Sequence, residues 1–188
     1  MARLFGIDTG TRTLAEADHL VHDLAARLRL PGAAVACTHR VRTGGPHLAV
    51  SLWVPPGFDG LWNELTRLAE TGNAGVASGS GCSGRPELCE AASEAVAEHA
   101  ARLGGRAVAF PGAAELTGTV LFGELLARSA IERVVVAGGA AAPGADDLLE
   151  TRDHVRPEWR NGVLTLAVAR VASGRFAPCE EPALAGQR

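Results

Sequence analysis

The chain has 188 residues, of which 47% are hydrophobic and 21% are charged, and its formal net charge is −3. A chain of this length can bury about 70% of its unfolded surface in one core, and its composition excludes an intrinsically disordered protein. The weak negative charge, without a basic stripe, argues against a nucleic-acid partner. No apolar run approaches the roughly 20 residues of a membrane helix, so we expect no membrane association.

All eighteen basic residues are arginines. Without lysine, the chain cannot form a Schiff base, a Walker-type phosphate contact or a pyridoxal phosphate linkage. The N-terminal segment lacks the apolar stretch and the cleavage site of a secretory signal, so we expect a cytoplasmic protein. The four cysteines are Cys37, Cys82, Cys89 and Cys179. They lack the paired C-x-x-C spacing of zinc sites, and we expect reduced thiols.

The first elements follow from local patterns. Thr13 and Glu16 have the spacing of a capping box ahead of a helix that ends at Pro31-Gly32. The segments "AAVACTHRVR" and "HLAVSLWVP" flank a "TGGP" turn and predict a β-hairpin. Residues 58–71 then return to helical periodicity, and "AGVAS" is typical of a short buried strand.

The remaining elements alternate in the same way. Pro86 predicts the start of a helix that ends at Gly104-Gly105, and "RAVAFP" predicts the next strand. Residues 114–129 are apolar almost all round, which predicts a buried central helix. "IERVVVAGG" is typical of a parallel-sheet strand and "GVLTLAVARV" of a final long strand. We therefore expect one α/β domain with a layered mixed sheet over residues 1–175, followed by a flexible tail over 176–188.

Gly79, Gly81 and Gly84 spell G-x-G-x-x-G, the dinucleotide-binding fingerprint. That motif also needs an acidic residue about 20 positions later, at the end of the next strand. Here the next strand ends at Phe110-Pro111-Gly112. A nucleotide-binding domain therefore stays only an alternative. We expect no cofactor and interpret the loop as a tight turn from strand to helix.

Cys82 lies in this loop shortly before a helix, where the helix dipole lowers the pKa of a thiol. It is a candidate nucleophile, but no histidine is marked by the sequence as its base. His19 and His22 stand three residues apart, a spacing that could hold a metal ion on one helix face. No third ligand is marked beside them, so we expect a solvated polar face and no metal.

Residues 61–172 resemble the N-terminal half of the thiolase-like fold, in particular the ketosynthases and their chain-length-factor partners. "LWNELTRLAETGNAGVASGSGCSG" resembles the family's helix, strand and glycine turn. "GTVLFGELLARSAIERVVVAGGA" is similar to its buried helix and following strand. The resemblance implies a thiolase-like half-fold in which the glycine loop is structural.

The same resemblance places the family's catalytic cysteine on Ala113 or, by another match, on Glu115. Neither side chain can form a thioester. The family's catalytic histidines belong to its C-terminal half, which we do not expect this chain to contain. The resemblance thus implies a catalytically silent subunit that heterodimerises with an active ketosynthase in polyketide or fatty-acyl biosynthesis, with an acyl carrier protein as a further partner.

In that family the strand before the nucleophile pairs across the dimer interface. The resemblance therefore implies a partner contact at Ala107, Val108, Ala109 and Phe110. An alternative is a small homodimeric enzyme that performs acyl transfer or elimination through Cys82 or Glu115. The sequence leaves the choice between a heterodimer and a homodimer open.

Overall fold

The computed structural model describes residues 3–58, 60–79, 81–139, 141–172 and 174–179. The protein is α/β, with four α-helices in these residues and a mixed, open sheet. Contacts divide the chain into two compact units, Met1–Pro111 and Gly112–Arg188. The single domain expected over residues 1–175 stays a prediction.

The first unit carries six strands and three helices in its described residues. They are β1 (Arg3–Thr11), α1 (Leu14–Arg27), β2 (Val35–Val41), β3 (His47–Val54), α2 (Leu61–Thr71), β4 (Gly75–Ser78), β5 (Gly81–Gly84), α3 (Pro86–Ala101) and β6 (Arg106–Ala109). The strands lie in the order β5-β4-β1-β3-β2-β6, and each pairing is antiparallel. The inner order β4-β1-β3-β2, with α1 and α2 as connections, is that of a split β-α-β motif.

The two faces of this sheet are covered by different helices. Apolar side chains of β1, β3 and β4, such as Phe5, Leu52 and Val76, form one core cluster with α1 and α2. The opposite face packs against α3, where Val41 and Ala49 meet Ala91 and Ala95. The first unit is therefore a sheet between two helical layers.

The approach of α3 to β1 is unusually close. A Cβ atom at Gly6 would collide with the backbone carbonyl of Ala92. A Cβ atom at Gly75 would similarly collide with the backbone of Leu88 and Cys89. These two glycines set the distance between helix and sheet, which positions the side chains that α3 presents to the sheet.

Several local predictions are confirmed. The backbone N–H of Glu16 donates to Thr13 Oγ1 at 3.3 Å, and the N–H of Thr13 donates to Glu16 Oε2 at 3.1 Å, completing the capping box of α1. Strands β2 and β3 form the expected hairpin. Helix α3 begins at Pro86, as its N1 residue.

The glycine loop differs from the prediction of a simple turn. Its second half is β5, which pairs with β4 in the register Ala77↔Cys82 before the chain enters α3. Glycines at positions 79, 81 and 84 suit a narrow hairpin as well as they suit a phosphate loop. Both structures need backbone conformations that a residue without a Cβ atom adopts most easily. Ser80, within the same segment, lies outside the described residues.

The second unit begins with a short 3-10 helix, Ala113–Glu115. Its further elements are β7 (Thr119–Leu121), α4 (Phe122–Arg128), β8 (Arg133–Val136), β9 (Leu148–Glu150), β10 (Glu158–Arg160), β11 (Val163–Arg170) and β12 (Phe176–Pro178). Strand β11 pairs with β10 and β12 in antiparallel fashion and with β8 in parallel fashion. Strand β9 pairs with β12 in parallel and with β7 in antiparallel fashion. In the core, the rings of Phe122 and Phe176 meet edge to face, with centroids 5.5 Å apart.

The long buried helix predicted over residues 114–129 is wrong. Only Phe122–Arg128 is α-helical, and within it Phe122 and Leu125 are the buried residues. Gly118 adopts a left-handed φ of +62°, and the β-branched residues Thr119 and Val120 then pair with β9. Strand pairing of these residues prevails over the helical pattern of the local sequence.

The C-terminal strands are firmly packed where the structure describes them. Strand β8 confirms the predicted parallel pairing, and β11 confirms the predicted long strand, although it is not the final one because β12 follows it. Phe176–Pro178 form the buried strand β12, whereas residues 180–188 lie outside the described residues, and a flexible tail there stays a prediction. Among the described residues, no helix combines the length and the hydropathy needed to cross a membrane.

Candidate functional site

A half-open cleft of about 460 Å³ lies in the first unit, a volume within the range of small-molecule sites. Three segments meet there: the end of β1, the turn between β2 and β3, and the first turn of α3. The lining residues are Gly10, Arg12, Thr43, Gly44, Gly45, Pro46, His47, Arg85, Glu87 and Leu88. We call this feature the arginine cleft.

His47, in the wall of the cleft, is fixed by a buried carboxylate. Its Nε2 lies 2.7 Å from Oδ2 of Asp8, which is 0% exposed, and its Nδ1 lies 2.8 Å from the carbonyl oxygen of Gly45. Both partners accept hydrogen bonds, so both bonds form only when both ring nitrogens carry protons. Asp8 Oδ1 also accepts the N–H of Gly10 at 2.8 Å, which fixes the carboxylate in turn.

The charge of His47 follows from these contacts. Burial alone would lower the pKa of His47. The hydrogen bonds to Gly45 and Asp8, together with the negative charges of Asp8 and Glu94, outweigh burial and raise that pKa above its ordinary value. The imidazolium form is thereby favoured, and its charge is balanced by Asp8.

Two arginines add further positive charge. Arg12 follows β1 and is exposed. Arg85 is the N-cap residue of α3; its Nη1 donates to Asn73 Oδ1 at 2.8 Å, and its Nε lies 3.8 Å from Glu87 Oε2. Although the whole chain is weakly negative, three of the four charged side chains among the described residues that line the arginine cleft are cations, namely Arg12, His47 and Arg85, and the fourth is Glu87.

The N-terminus of α3 opens onto the same cleft. Arg85 makes no side-chain capping bond, and the next residue, Pro86, has no N–H. Glu87 and Leu88, in the first turn, line the cleft. Their amides carry the partial positive charge of the helix terminus, which favours an anion at this place.

A second group of functional side chains lies between the sheet and α3. It consists of Cys37, His39, Ser51, Glu98 and His99, and we call it the buried polar cluster. Ser51 Oγ lies 2.7 Å from His39 Nε2 and 2.6 Å from His99 Nδ1. His39 Nδ1 lies 2.5 Å from Glu98 Oε2. The register of the β2–β3 hairpin places Cys37 directly opposite Ser51.

The cluster is closed to solvent except at Glu98. Cys37 and Ser51 are 0% exposed, and His39 and His99 are 1% and 5% exposed. Burial, with the neighbouring His39 and Arg102, lowers the pKa of His99 to about 3, so this ring is neutral. Gly105, at φ +99°, lies so close to the His39 ring that a Cβ atom would collide with Cε1.

The order Glu98–His39–Ser51 is that of a nucleophile triad. A serine nucleophile must be reached by its substrate, however. Ser51 lies within β3 and is 0% exposed. The arrangement therefore suits metal ligation or a buried hydrogen-bond network better than acyl transfer.

The expectation of reduced thiols is wrong for two cysteines. Cys82 and Cys89 form a disulfide, with their Cα atoms 5.9 Å apart. The β4–β5 hairpin returns Cys82 to the first turn of α3, a placement that the sequence spacing did not reveal. In this state the sulfur of Cys82 is not a thiolate, so the structure does not present it as a nucleophile.

The other candidate residues are not brought together. Ala113 and Glu115 lie in the 3-10 helix of the second unit, and Glu115 is exposed. On β6 and just after it, Ala107, Val108 and Phe110 are buried and Ala109 is half-buried. The contact of these four residues with a partner stays a prediction.

The two histidines of α1, His19 and His22, lie on a solvent-exposed face, as predicted. His19 is exposed, and its Nε2 lies 3.4 Å from Asp23 Oδ2, four residues on along the helix. The histidines that do come together are His39 and His99, for which the sequence indicated no role. One signal was available: Cys37, His39 and Ser51 are polar or polarisable residues among the apolar residues of one sheet face, opposite a histidine on the apolar face of α3.

The arginine cleft was also missed, because its residues come from three distant segments. Asp8, a charged residue within an apolar strand, was the available signal. Comparison of the chain with protein-family models, with curated proteins and with solved structures gives no match.

Proposed function

We propose that the first unit binds a small anionic molecule, one that carries a carboxylate or phosphate group, in the arginine cleft. The observation that carries this proposal is the convergence of Arg12, Arg85 and the imidazolium of His47 on one cleft beside the N-terminus of α3. Arginine provides a planar fork that matches carboxylate and phosphate oxygens.

The positive groups of the cleft support an anion rather than a neutral ligand. Asp8 balances His47 through a 2.7 Å contact, and Glu87 is an ion-pair neighbour of Arg85 at 3.8 Å. Glu94 adds a further negative charge near His47. Arg12 is exposed, and the amides at the N-terminus of α3 carry partial positive charge. A bound oxyanion would contact these two positive groups.

Binding is a better interpretation than acid–base catalysis. A general base needs a ring nitrogen that is able to take a proton from the substrate. Both nitrogens of His47 are engaged with acceptors of the protein itself. His47 therefore acts as a fixed positive charge that orients the ligand.

The proposal is tested by titrating the isotope-labelled protein with inorganic phosphate and with citrate, at constant ionic strength, against a chloride control. We expect saturable shifts of the amide resonances of Gly44, Gly45, Glu87 and Leu88, which line the cleft. Shifts that never saturate, or that spread evenly over exposed arginine-rich surface, would contradict the proposal.

A second candidate function is a catalytically silent ketosynthase-like subunit with a thiolase-like half-fold. It is supported by the resemblance of residues 61–172 and by the lack of a nucleophile at Ala113 and Glu115. Its partners would be an active ketosynthase and an acyl carrier protein, in the cytoplasm. Co-expression with a ketosynthase encoded beside it, and purification through a tag on one chain, tests this candidate; recovery of a lone monomer without effect on the ketosynthase would remove it.

The homodimeric enzyme and the nucleotide-binding domain are the remaining alternatives. Full activity of a Cys82→Ala or Glu115→Gln variant would remove those residues as catalysts. A flat calorimetric titration with NAD or FAD would remove the nucleotide-binding domain.

A further inference from the structure

We propose that Cys37, His39 and His99 form a binding site for a zinc-like transition-metal ion within the first unit. Each of the three residues offers one ligand atom, and these atoms all lie within 4.8 Å of one another. All three residues are buried. The inference is independent of the arginine cleft, because no residue is shared between the two sites.

The secondary structure brings the three ligands to one point. Cys37 and His39 stand two residues apart on β2, so their side chains leave the same face of the sheet. His99 reaches that face from the last turn of α3. Zinc–nitrogen and zinc–sulfur bonds of about 2.0 to 2.3 Å place neighbouring ligand atoms of a tetrahedral site about 3.3 to 3.7 Å apart. Closing the present arrangement by about 1 Å is within the reach of small side-chain rotations.

The surroundings of His39 match those of a metal ligand. Its Nδ1 faces the carboxylate of Glu98 at 2.5 Å, which leaves Nε2 directed at Ser51 within the cluster. A histidine that binds a metal through one nitrogen usually donates the other N–H to a carboxylate or carbonyl, which fixes its tautomer and orientation. Glu98 is thus a positioning residue for the site.

In the metal-free form of the site, Ser51 is hydrogen-bonded to both histidines. Its hydroxyl lies between the two rings, within hydrogen-bond distance of both. An entering metal ion replaces these two hydrogen bonds with coordinate bonds. The Ser51 hydroxyl therefore competes with the metal for the same two nitrogens.

The ligand set selects the class of metal. One thiolate and two imidazoles suit zinc and its softer neighbours, whereas magnesium and calcium prefer oxygen ligands. Because the ligands are closed to solvent, the site would hold β2 against the last turn of α3 rather than activate a substrate.

The test is a titration of the metal-stripped, full-length protein with cobalt(II), without thiol reductant so that the Cys82–Cys89 disulfide stays formed. We expect a thiolate-to-cobalt charge-transfer band in the near ultraviolet at one equivalent. Zinc should displace the cobalt and abolish this band. Absence of the charge-transfer band at saturating cobalt overturns the proposal.

Matched variants show which cysteine gives rise to the charge-transfer band. Cys37→Ser should lose the charge-transfer band, whereas Cys179→Ser, which changes the other cysteine outside the disulfide, should keep it. His22→Gln should also keep it, because the exposed histidines of α1 offer only nitrogen ligands. A band that persists in Cys37→Ser, or that disappears in Cys179→Ser, contradicts the assignment.

A milder variant covers the case in which Cys37→Ser does not fold. The Glu98 side chain is 39% exposed, so Glu98→Gln removes the carboxylate with little disturbance of packing. We expect its cobalt affinity to fall by about 10- to 100-fold. An unchanged affinity would contradict the role of His39 as a ligand oriented by Glu98.

Discussion

His47 and Asp8 form a pair in which a largely buried imidazolium lies 2.7 Å from a wholly buried carboxylate, although 39 residues separate them in the chain. The pair joins the beginning of β3 to β1 and fixes one wall of the arginine cleft. Its protonation controls both the stability of that wall and the charge offered to a ligand.

The first prediction concerns pH. The pKa of His47 is raised in the folded protein, so the stabilisation from its protonation is fully present below the unfolded value of about 6.5 and is lost as pH rises through the folded pKa. Sulfate, whose charge does not change over this range, should accordingly bind the cleft more weakly as pH rises through it. Urea unfolding and sulfate titrations between about pH 5.5 and 8.5 measure both effects.

Replacement of His47 tests the same pair. His47→Gln leaves the Asp8 carboxylate buried without a counter-charge, and we expect a loss of about 3 kcal/mol in the free energy of unfolding. The loss should be greatest at the acidic end of this range. The matched control is His22→Gln on the exposed face of α1, which should change stability by less than about 0.5 kcal/mol.

The second prediction concerns the arginines. Arg12→Gln and Arg85→Gln should each weaken phosphate binding by about 1.5 to 3 kcal/mol, or about 10- to 150-fold, because each removes a charge-assisted hydrogen bond to the ligand. Arg67→Gln, on an exposed turn of α2, serves as the control and should leave the affinity unchanged. Equal effects of all three variants would indicate that phosphate responds to the general positive charge of the surface rather than to a specific site.

The third prediction concerns the disulfide. Denatured protein prepared without reductant should show two reactive thiols of the four cysteines, Cys37 and Cys179. The Cys82–Cys89 bridge closes a loop with a sequence separation of 7, so its loss should cost about 2 kcal/mol in the free energy of unfolding. Thiol titration and urea unfolding of Cys82→Ser/Cys89→Ser measure these quantities, and four reactive thiols would contradict the bridge.

The fourth prediction concerns Ser51. In metal-free protein, Ser51→Ala leaves His39 Nε2 and His99 Nδ1 without this hydroxyl, and we expect a loss of about 2 kcal/mol in stability. With cobalt bound, the loss should shrink, and the cobalt affinity should be at least that of the wild type. Ser93→Ala, which removes only a hydroxyl bonded to the carbonyl of Cys89, is the control.

The fifth prediction concerns the contact between α3 and β1. Gly6→Ala forces a methyl group against the Ala92 carbonyl, and we expect a loss of about 2 kcal/mol or more in the free energy of unfolding. Gly32→Ala is the matched control, because nothing lies within 4 Å of a Cβ atom there. Similar unfolding curves for both variants would show that α3 does not need this close approach.

The sequence predicts those elements of the fold that local interactions decide. The capping box of Thr13 and Glu16, the N1 position of Pro86 and the hairpin of β2 and β3 each depend on a few neighbouring residues. The pairing of Thr119 and Val120 with β9 depends on residues about thirty positions away, and it shortens a helix that the local pattern favours.

The candidate sites depend even more strongly than the fold on contacts between residues that are distant in the chain. Ser51 and His99 are separated by 48 residues, and His39 and Glu98 by 59. No local pattern relates such residues until α3 is known to pack on the face opposite α1 and α2. The polar residues within apolar strands show that a buried network exists, but not which side chains complete it.

Helix α3 carries Glu87 of the arginine cleft near its beginning and His99 of the buried polar cluster near its end, 12 residues later. At a rise of about 1.5 Å per residue, the backbone positions of these residues lie about 18 Å apart along one rigid rod. Cobalt in the cluster would therefore be a paramagnetic centre at a defined distance from the cleft. Its through-space shifts of the Glu87 and Leu88 resonances would report any movement of the cleft when phosphate binds, without a label added to the protein.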